Sequence, residues 1–136
     1  MEEKYVLTIS EKQAALIKDA LEEYFRIRMN QWDSLAESLA LKNIDLSPEH
    51  PRHKEIFEGY IHDRDAVQKV LECAGRILWG NQKNPKTEEQ RMTEDIWQVI
   101  RYELWKNHPH GDGWCVDSRP PLQMSEEPLP AMKKVE

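Results

Sequence analysis

Apolar and polar residues alternate weakly from Lys4 to Ile9, with Tyr5, Leu7 and Ile9 set against Val6 and Thr8, and this predicts one short strand. Ser10-Glu11-Lys12-Gln13 then has capping-box spacing: the serine hydroxyl can accept from the Gln13 backbone N–H while the glutamine side chain reaches back. A long helix is expected to follow, from about Glu11 to about Ala40, with an apolar stripe through Ile17, Leu21, Tyr24, Trp32, Leu35 and Leu39. The stretch from Lys42 to Arg52 contains Asn43, Ser47, Pro48 and Pro51 and reads as a loop. A second helix covers roughly Lys54 to Trp79, with a bend expected near Gly59. Its last turns are apolar on two sides (Val67, Val70, Leu71, Cys73, Ala74, Ile77, Leu78), the mark of a central helix, and Gly80-Asn81 should stop it.

Asn81 to Lys86 is a polar connector, after which Thr87-Glu88-Glu89-Gln90 repeats the capping-box spacing. The third helix should run to about Asn107 and bury Met92, Ile96, Val99, Ile100 and Leu104. His108 to Gly113 is rich in turn residues, and Trp114-Cys115-Val116 suggests a second strand whose only nearby partner is Tyr5 to Ile9. From Arg119 onward Pro120, Pro121, Pro128 and Pro130 favour an extended arm. The expected fold is therefore α+β and mainly α. Three helices, one of them long and N-terminal, accompany a small antiparallel sheet from the N-terminal strand and the C-terminal arm. Residues 1–136 form a single ligand-binding domain on this reading, with 119–136 as the Pro-rich arm.

Composition adds a thin core under a charged surface. The hydrophobic fraction is 39%, the charged fraction 32%, and five Trp, four Tyr and two Phe supply the bulk. Such a core is well suited to completion by another subunit. The 25 acidic residues outweigh 19 basic ones, for a net charge of −6. A general nucleic-acid binder needs a broad basic surface, so a polymer partner is not expected, although a local basic pocket is compatible with this balance. Two cysteines, Cys73 and Cys115, with no CxxC, do not make a disulfide framework. The start, MEEKYVLTIS, lacks the features of a signal peptide, and no long apolar run predicts a membrane span. The expected compartment is the cytoplasm.

Candidate chemistry centres on arginines. Arg28 falls within the apolar stripe between Tyr24 and Trp32, whereas Arg26 lies on the opposite side. A guanidinium on a buried face must be paired. Either it meets an acid such as Glu103, which interrupts the third helix's apolar face, or it faces a ligand phosphate or a subunit interface. Trp97, Arg101 and Trp105 share one side of the third helix, away from Ile96 and Ile100. Two indoles around a guanidinium can stack a base and fork onto a phosphate, or simply pack with Arg101 lying across them. In Asp117-Ser118-Arg119-Pro120-Pro121 the prolines hold Arg119 stiffly, as a clamp over a pocket or as a solvated tail. His108, His110, Asp112 and Cys115 are of zinc-ligand type, but no paired spacing completes a tetrahedral site, so neither metal nor cofactor is expected. Phosphate-loop, nucleophile-elbow and HExxH patterns do not occur, and Cys73, on a helix face expected to be buried, reads as inert.

Three segments together, YVLTISEKQAALIKDALEEYFRI, DIWQVIRYELW and VDSRPPLQMSEEPLPAM, resemble the phage-encoded Thoeris anti-defence sponges. The resemblance implies an α+β protein that assembles as dimers or hexamers in the host bacterial cytoplasm and is not an enzyme. Members bind cyclic ADP-ribose-type signals in pockets at subunit contacts, and some bind cyclic di- or trinucleotides at a separate site. It would place Arg119 on the arm and Arg101 on the third helix against phosphates, and Arg28 at the second site, with Arg64 a weaker candidate. Trp97 and Trp105 are adenine candidates by spacing alone, and Asp117, in the segment with Arg119, is a further ligand-binding candidate. The competing readings are an oligomeric protein-interaction module with no small-molecule ligand and, more remotely, a small hydrolase using His108, His110 and Asp112.

Overall fold

The computed structural model describes residues 2–41, 44–80, 86–111 and 113–136. Among them are four α-helices, α1 (Glu11–Arg28), α2 (Asp33–Ala40), α3 (His53–Trp79) and α4 (Glu88–Asn107), and a 3₁₀ turn at Val116–Ser118. No described residue is in a strand, so the fold is all-helical and the expected sheet is absent from it. Tyr5, Val6 and Leu7 are 87%, 97% and 74% exposed. Three alternating apolar residues cannot hold a strand without a ladder partner, and the intended partner folds on itself instead. Gly111 and Gly113 adopt positive φ (74° and 81°), and the Ser118 hydroxyl donates to both the Gly113 and Cys115 carbonyls, closing Trp114–Val116 into a turn.

The long N-terminal helix is also corrected: it breaks in two. Its start is as expected, with Gln13 N–H donating to Ser10 Oγ (3.1 Å) and Ser10 N–H to Gln13 Oε1 (2.9 Å). It ends at Asn30, the one described non-glycine residue with positive φ (61°). Asn30 N–H donates to Ile27 O (3.0 Å) and Gln31 N–H to Arg26 O (2.9 Å). This paired 5→2 and 6→1 pattern is a Schellman stop, and asparagine is the side chain that best replaces glycine in it. After the break the helical phase is reset, so α2 buries Trp32, Ala36 and Ala40, while Leu39 is 49% exposed.

The chain packs as two compact units. The first contains Met1–Phe25 with Thr87–Glu136, the second Arg26–Lys86. In the first, Phe25 meets Trp97 edge-on with ring centroids 5.2 Å apart, and Ala14, Val99 and Ile100 are buried. Thr87 Oγ1 caps α4 by accepting from Gln90 N–H (3.2 Å). The Gln90 side chain does not complete the box: it is 1% exposed, and neither of its amide atoms has a hydrogen-bond partner among the described residues. Ile96, expected in the core, is 39% exposed.

In the second unit α2 lies on α3. Trp32 stacks on Trp79 (5.9 Å), and its indole N–H donates to Asn30 Oδ1 (2.6 Å). α3 runs unbroken through Gly59 and stops at Gly80. Apolar side chains expected on a central helix stay bare along one side, with Val70 69% and Ile77 80% exposed and Cys73 exposed between them. The expected connector at Asn81–Pro85 and the loop residues Lys42 and Asn43 lie outside the described residues.

Candidate functional site

Arg101, in the fourth turn of α4, is 4% exposed. Such a guanidinium must be met by acceptors because it cannot shed its charge. The acceptors here are main-chain carbonyls: Nη1 donates to Val116 O and Nη2 to Arg119 O (3.0 Å). Trp97 lies against it with the ring centroid 5.1 Å from Cζ. Nε is buried and has no hydrogen-bond partner among the described residues. Burial pulls Arg101 below the ordinary arginine range, and the Asp117 carboxylate partly offsets this. The group stays cationic near neutrality, because the ordinary arginine value lies far above that range.

Arg101 contributes to the wall of a cavity of about 200 Å³ within the first unit. From α1 comes the second cation, Lys18, with Glu11 a turn and more before it. Glu11 meets His108 (2.9 Å) and Asp117 meets His110 (3.1 Å), so each acid at the rim already faces an imidazole. Trp105 closes one side and is fixed by its indole N–H, which donates to His110 O (2.9 Å). With the histidines neutral, Lys18 and Arg101 balance Glu11 and Asp117, and each protonated imidazole adds one positive charge. No hydroxyl or thiol is among the described lining residues.

No family model, curated protein or solved structure matches the chain.

Of the residues singled out in the sequence, Arg101, Trp105 and Asp117 come together at this cavity. Trp97 instead packs into the core beneath Arg101, between it and Phe25. Arg119 supplies only its carbonyl, and its side chain is exposed. Arg28 and Arg64 belong to the second unit. Arg64 is engaged by Asp65 (3.1 Å) and lies 5.8 Å from the Tyr60 ring centroid, while Arg28 is half-buried at the end of α1. Glu103 pairs locally with Lys106 (2.6 Å). Glu11, Lys18, His108 and His110 complete the cavity without having been chosen as ligand contacts. The two histidines carry a signal in the sequence, as residues of metal-ligand and hydrolase type, whereas nothing marks the α1 pair. Asp112 lies outside the described residues, and among the others no cluster of three or more His, Cys, Asp or Glu could hold a metal ion.

The second unit holds its own cavity of about 300 Å³, lined by Asn30, Trp32, Glu72, Arg76 and Gly80. The Trp32 indole N–H there is already taken by Asn30, and Glu72 accepts from Gln68 (3.1 Å). None of the described helices is long and apolar enough to cross a membrane.

Proposed function

We propose that this chain is a cytoplasmic phage-type anti-defence protein that binds and sequesters a phosphate-bearing cyclic nucleotide, of cyclic ADP-ribose type, without cleaving it. The observation that carries the reading is Arg101, a buried guanidinium held by carbonyls and facing a cavity beside an indole. A carboxylate bonded directly to the guanidinium would cancel its charge; carbonyl partners, with Asp117 nearby but not bonded to it, leave part of that charge to attract an outside anion. At 4 Å and an effective dielectric near 20, a phosphate oxygen would gain about 4 kcal/mol before desolvation. Trp105 supplies a face for a base or sugar.

The cavity, about 200 Å³, is smaller than the ~300–1,000 Å³ typical of a whole-ligand pocket. It holds a phosphate and part of a sugar, and the remainder of a dinucleotide must be covered by another copy. That requirement agrees with the resemblance to sponges whose pockets form at subunit contacts, and a dimer or hexamer is proposed on the same ground. The absence of a sheet among the described residues departs from what the resemblance implies, so cavity chemistry supports the reading more than family likeness does. A separate oligonucleotide site is proposed at Arg28, and Arg64 on α3 is a further phosphate candidate.

The test is to mix the protein with cyclic ADP-ribose, remove free ligand, heat, and analyse what is released. Intact ligand in stoichiometric amount supports sequestration. Altered ligand means an enzyme, and none retained by the native protein refutes binding. A second reading, an oligomeric interaction module with no small-molecule ligand, is favoured by the bare apolar side of α3 at Val70, Cys73 and Ile77. It predicts an oligomer by native mass measurement with no calorimetric heat from any nucleotide.

A further inference from the structure

The C-terminal segment runs back along α4, and five α4 side chains grip its backbone in antiparallel order. Trp105 donates to His110 O, Arg101 to Val116 O and Arg119 O, and Gln98 both donates to and accepts from Leu122 (3.0 Å each way). Further back, Asp95 Oδ1 accepts from Met124 N–H (2.7 Å), and Glu88 Oε1 accepts from Glu126 N–H (2.7 Å). Asp95 Oδ2 also takes Ser125 N–H (3.1 Å) and the Ser125 hydroxyl (2.6 Å).

These grips are unequal. Those of Glu88, Gln98 and Trp105 are open to water, which competes for them. Asp95 and Ser125 are 2% and 8% exposed, so one carboxylate accepts three bonds away from solvent. The segment's apolar side chains do little to fasten it, since Leu122 is 70% and Met124 44% exposed. Asp95 is thus the fixed point, and it lies outside the cavity wall.

We infer that Asp95 is a positioning residue for the proposed binding site: by latching Met124 and Ser125 it holds the segment that presents the Val116 and Arg119 carbonyls to Arg101, and so aims the guanidinium. This rests on the anion-binding reading of the Arg101 cavity. The chemistry is sequential. Asp95 fixes the strap, the strap fixes two guanidinium N–H groups, and the guanidinium so held keeps a set direction toward an anion in the cavity. Opening the latch frees the carbonyls, and Arg101 then swings among many rotamers.

The test uses Asp95→Asn in the full chain, read in two ways. Amide exchange at Met124 and Ser125 should quicken by about tenfold or more, and exchange of the Arg101 Nε proton should quicken with it. Calorimetric affinity for cyclic ADP-ribose should fall by about tenfold, with helix content by circular dichroism unchanged. If Asp95→Asn fails to fold, Ser125→Ala, which removes one of the three bonds, should move each readout the same way by less. Unchanged exchange at Met124 and Ser125 overturns the latch. Fast exchange there with a still-protected Arg101 Nε proton, or with undiminished affinity, overturns the coupling. If the unaltered protein binds no cyclic ADP-ribose, the functional reading fails alone, and the two exchange measurements still decide the inference.

Discussion

Gly75→Ala gives the sharpest test of how the second unit is held together. A methyl group at this position of α3 would fall inside contact distance of Asn30 Oδ1 and lie 2.5 Å from Trp32 Nε1. Neither neighbour can easily move. Asn30 is held at φ 61° by the Schellman stop, its side chain is bonded to the Trp32 indole, and Trp32 stacks on Trp79. Forcing a methyl into a packed contact costs roughly 1–3 kcal/mol, and losing the Asn30–Trp32 bond costs about 0.5–1.5 kcal/mol more. Alanine recovers about 0.8–1.0 kcal/mol by its higher helix propensity. The net expectation is destabilisation by roughly 0.5–4 kcal/mol.

The control lies on the same helix. Gly59 is exposed, with no described atom within 4 Å of where an alanine methyl would sit, so Gly59→Ala should stabilise by about 0.8–1.0 kcal/mol. Urea unfolding followed by circular dichroism measures both, and the two should differ in sign. Asn30→Gly keeps the left-handed turn while deleting the clashing oxygen. In the Gly75→Ala background it should therefore recover stability, with a coupling on the order of 1 kcal/mol. Equal stabilisation by the two alanines would refute the packing of the Asn30–Trp32 turn on α3.

Arg101→Gln should weaken cyclic ADP-ribose binding by ~2–5 kcal/mol, as expected for losing one partner of a desolvated charge contact. Arg101→Lys should not restore it by calorimetry, because an ammonium cannot span the Val116 and Arg119 carbonyls as the fork does. Gln90→Met should raise stability in urea unfolding by about 1 kcal/mol, since it removes a fully buried amide with no partner among the described residues and keeps the volume. Hydrogen bonding to Arg52, then its charge, holds the Glu55 carboxyl below its ordinary range. Whatever stability the pair lends is present above the unfolded carboxyl value and lost as pH falls through the lower folded value. Arg52→Gln should return the Glu55 titration midpoint, followed by NMR, upward to the ordinary carboxylate range.

Element ends were legible in the sequence where local chemistry punctuates the chain. Both halves of the Ser10–Gln13 box form, Thr87 caps α4, and Gly80 ends α3. The break after α1 was missed because its only mark is a single asparagine, Asn30, within a run whose apolar spacing fits a continuous helix. Once the chain turns there the phase of the stripe changes, which is why small residues, Ala36 and Ala40, are buried and Leu39 is not. The strands failed for the opposite reason. Alternation over a few residues is a statement about one chain segment, whereas a strand is a property of a pair.

At the site, the sequence carried the residues that share a helix face or a short segment: Arg101, Trp105 and Asp117. It could not bring Lys18 and Glu11 to them from α1, because nothing local encodes that approach. Nor could it find Asp95. Glu103 drew notice as the acid interrupting an apolar face, yet it pairs one turn away with Lys106, whereas Asp95 is the acid that is buried. Its partners are main-chain N–H groups nearly thirty residues on, and a backbone donor looks the same beside every residue type. The same holds for Arg101, whose acceptors are carbonyls. An acid and a base that had found each other would have neutralised both. Because α4 spends its carboxylate on N–H groups and its guanidinium on C=O groups, the two charges anchor one strap while remaining uncompensated by each other, and Arg101 keeps its attraction for an anion from outside.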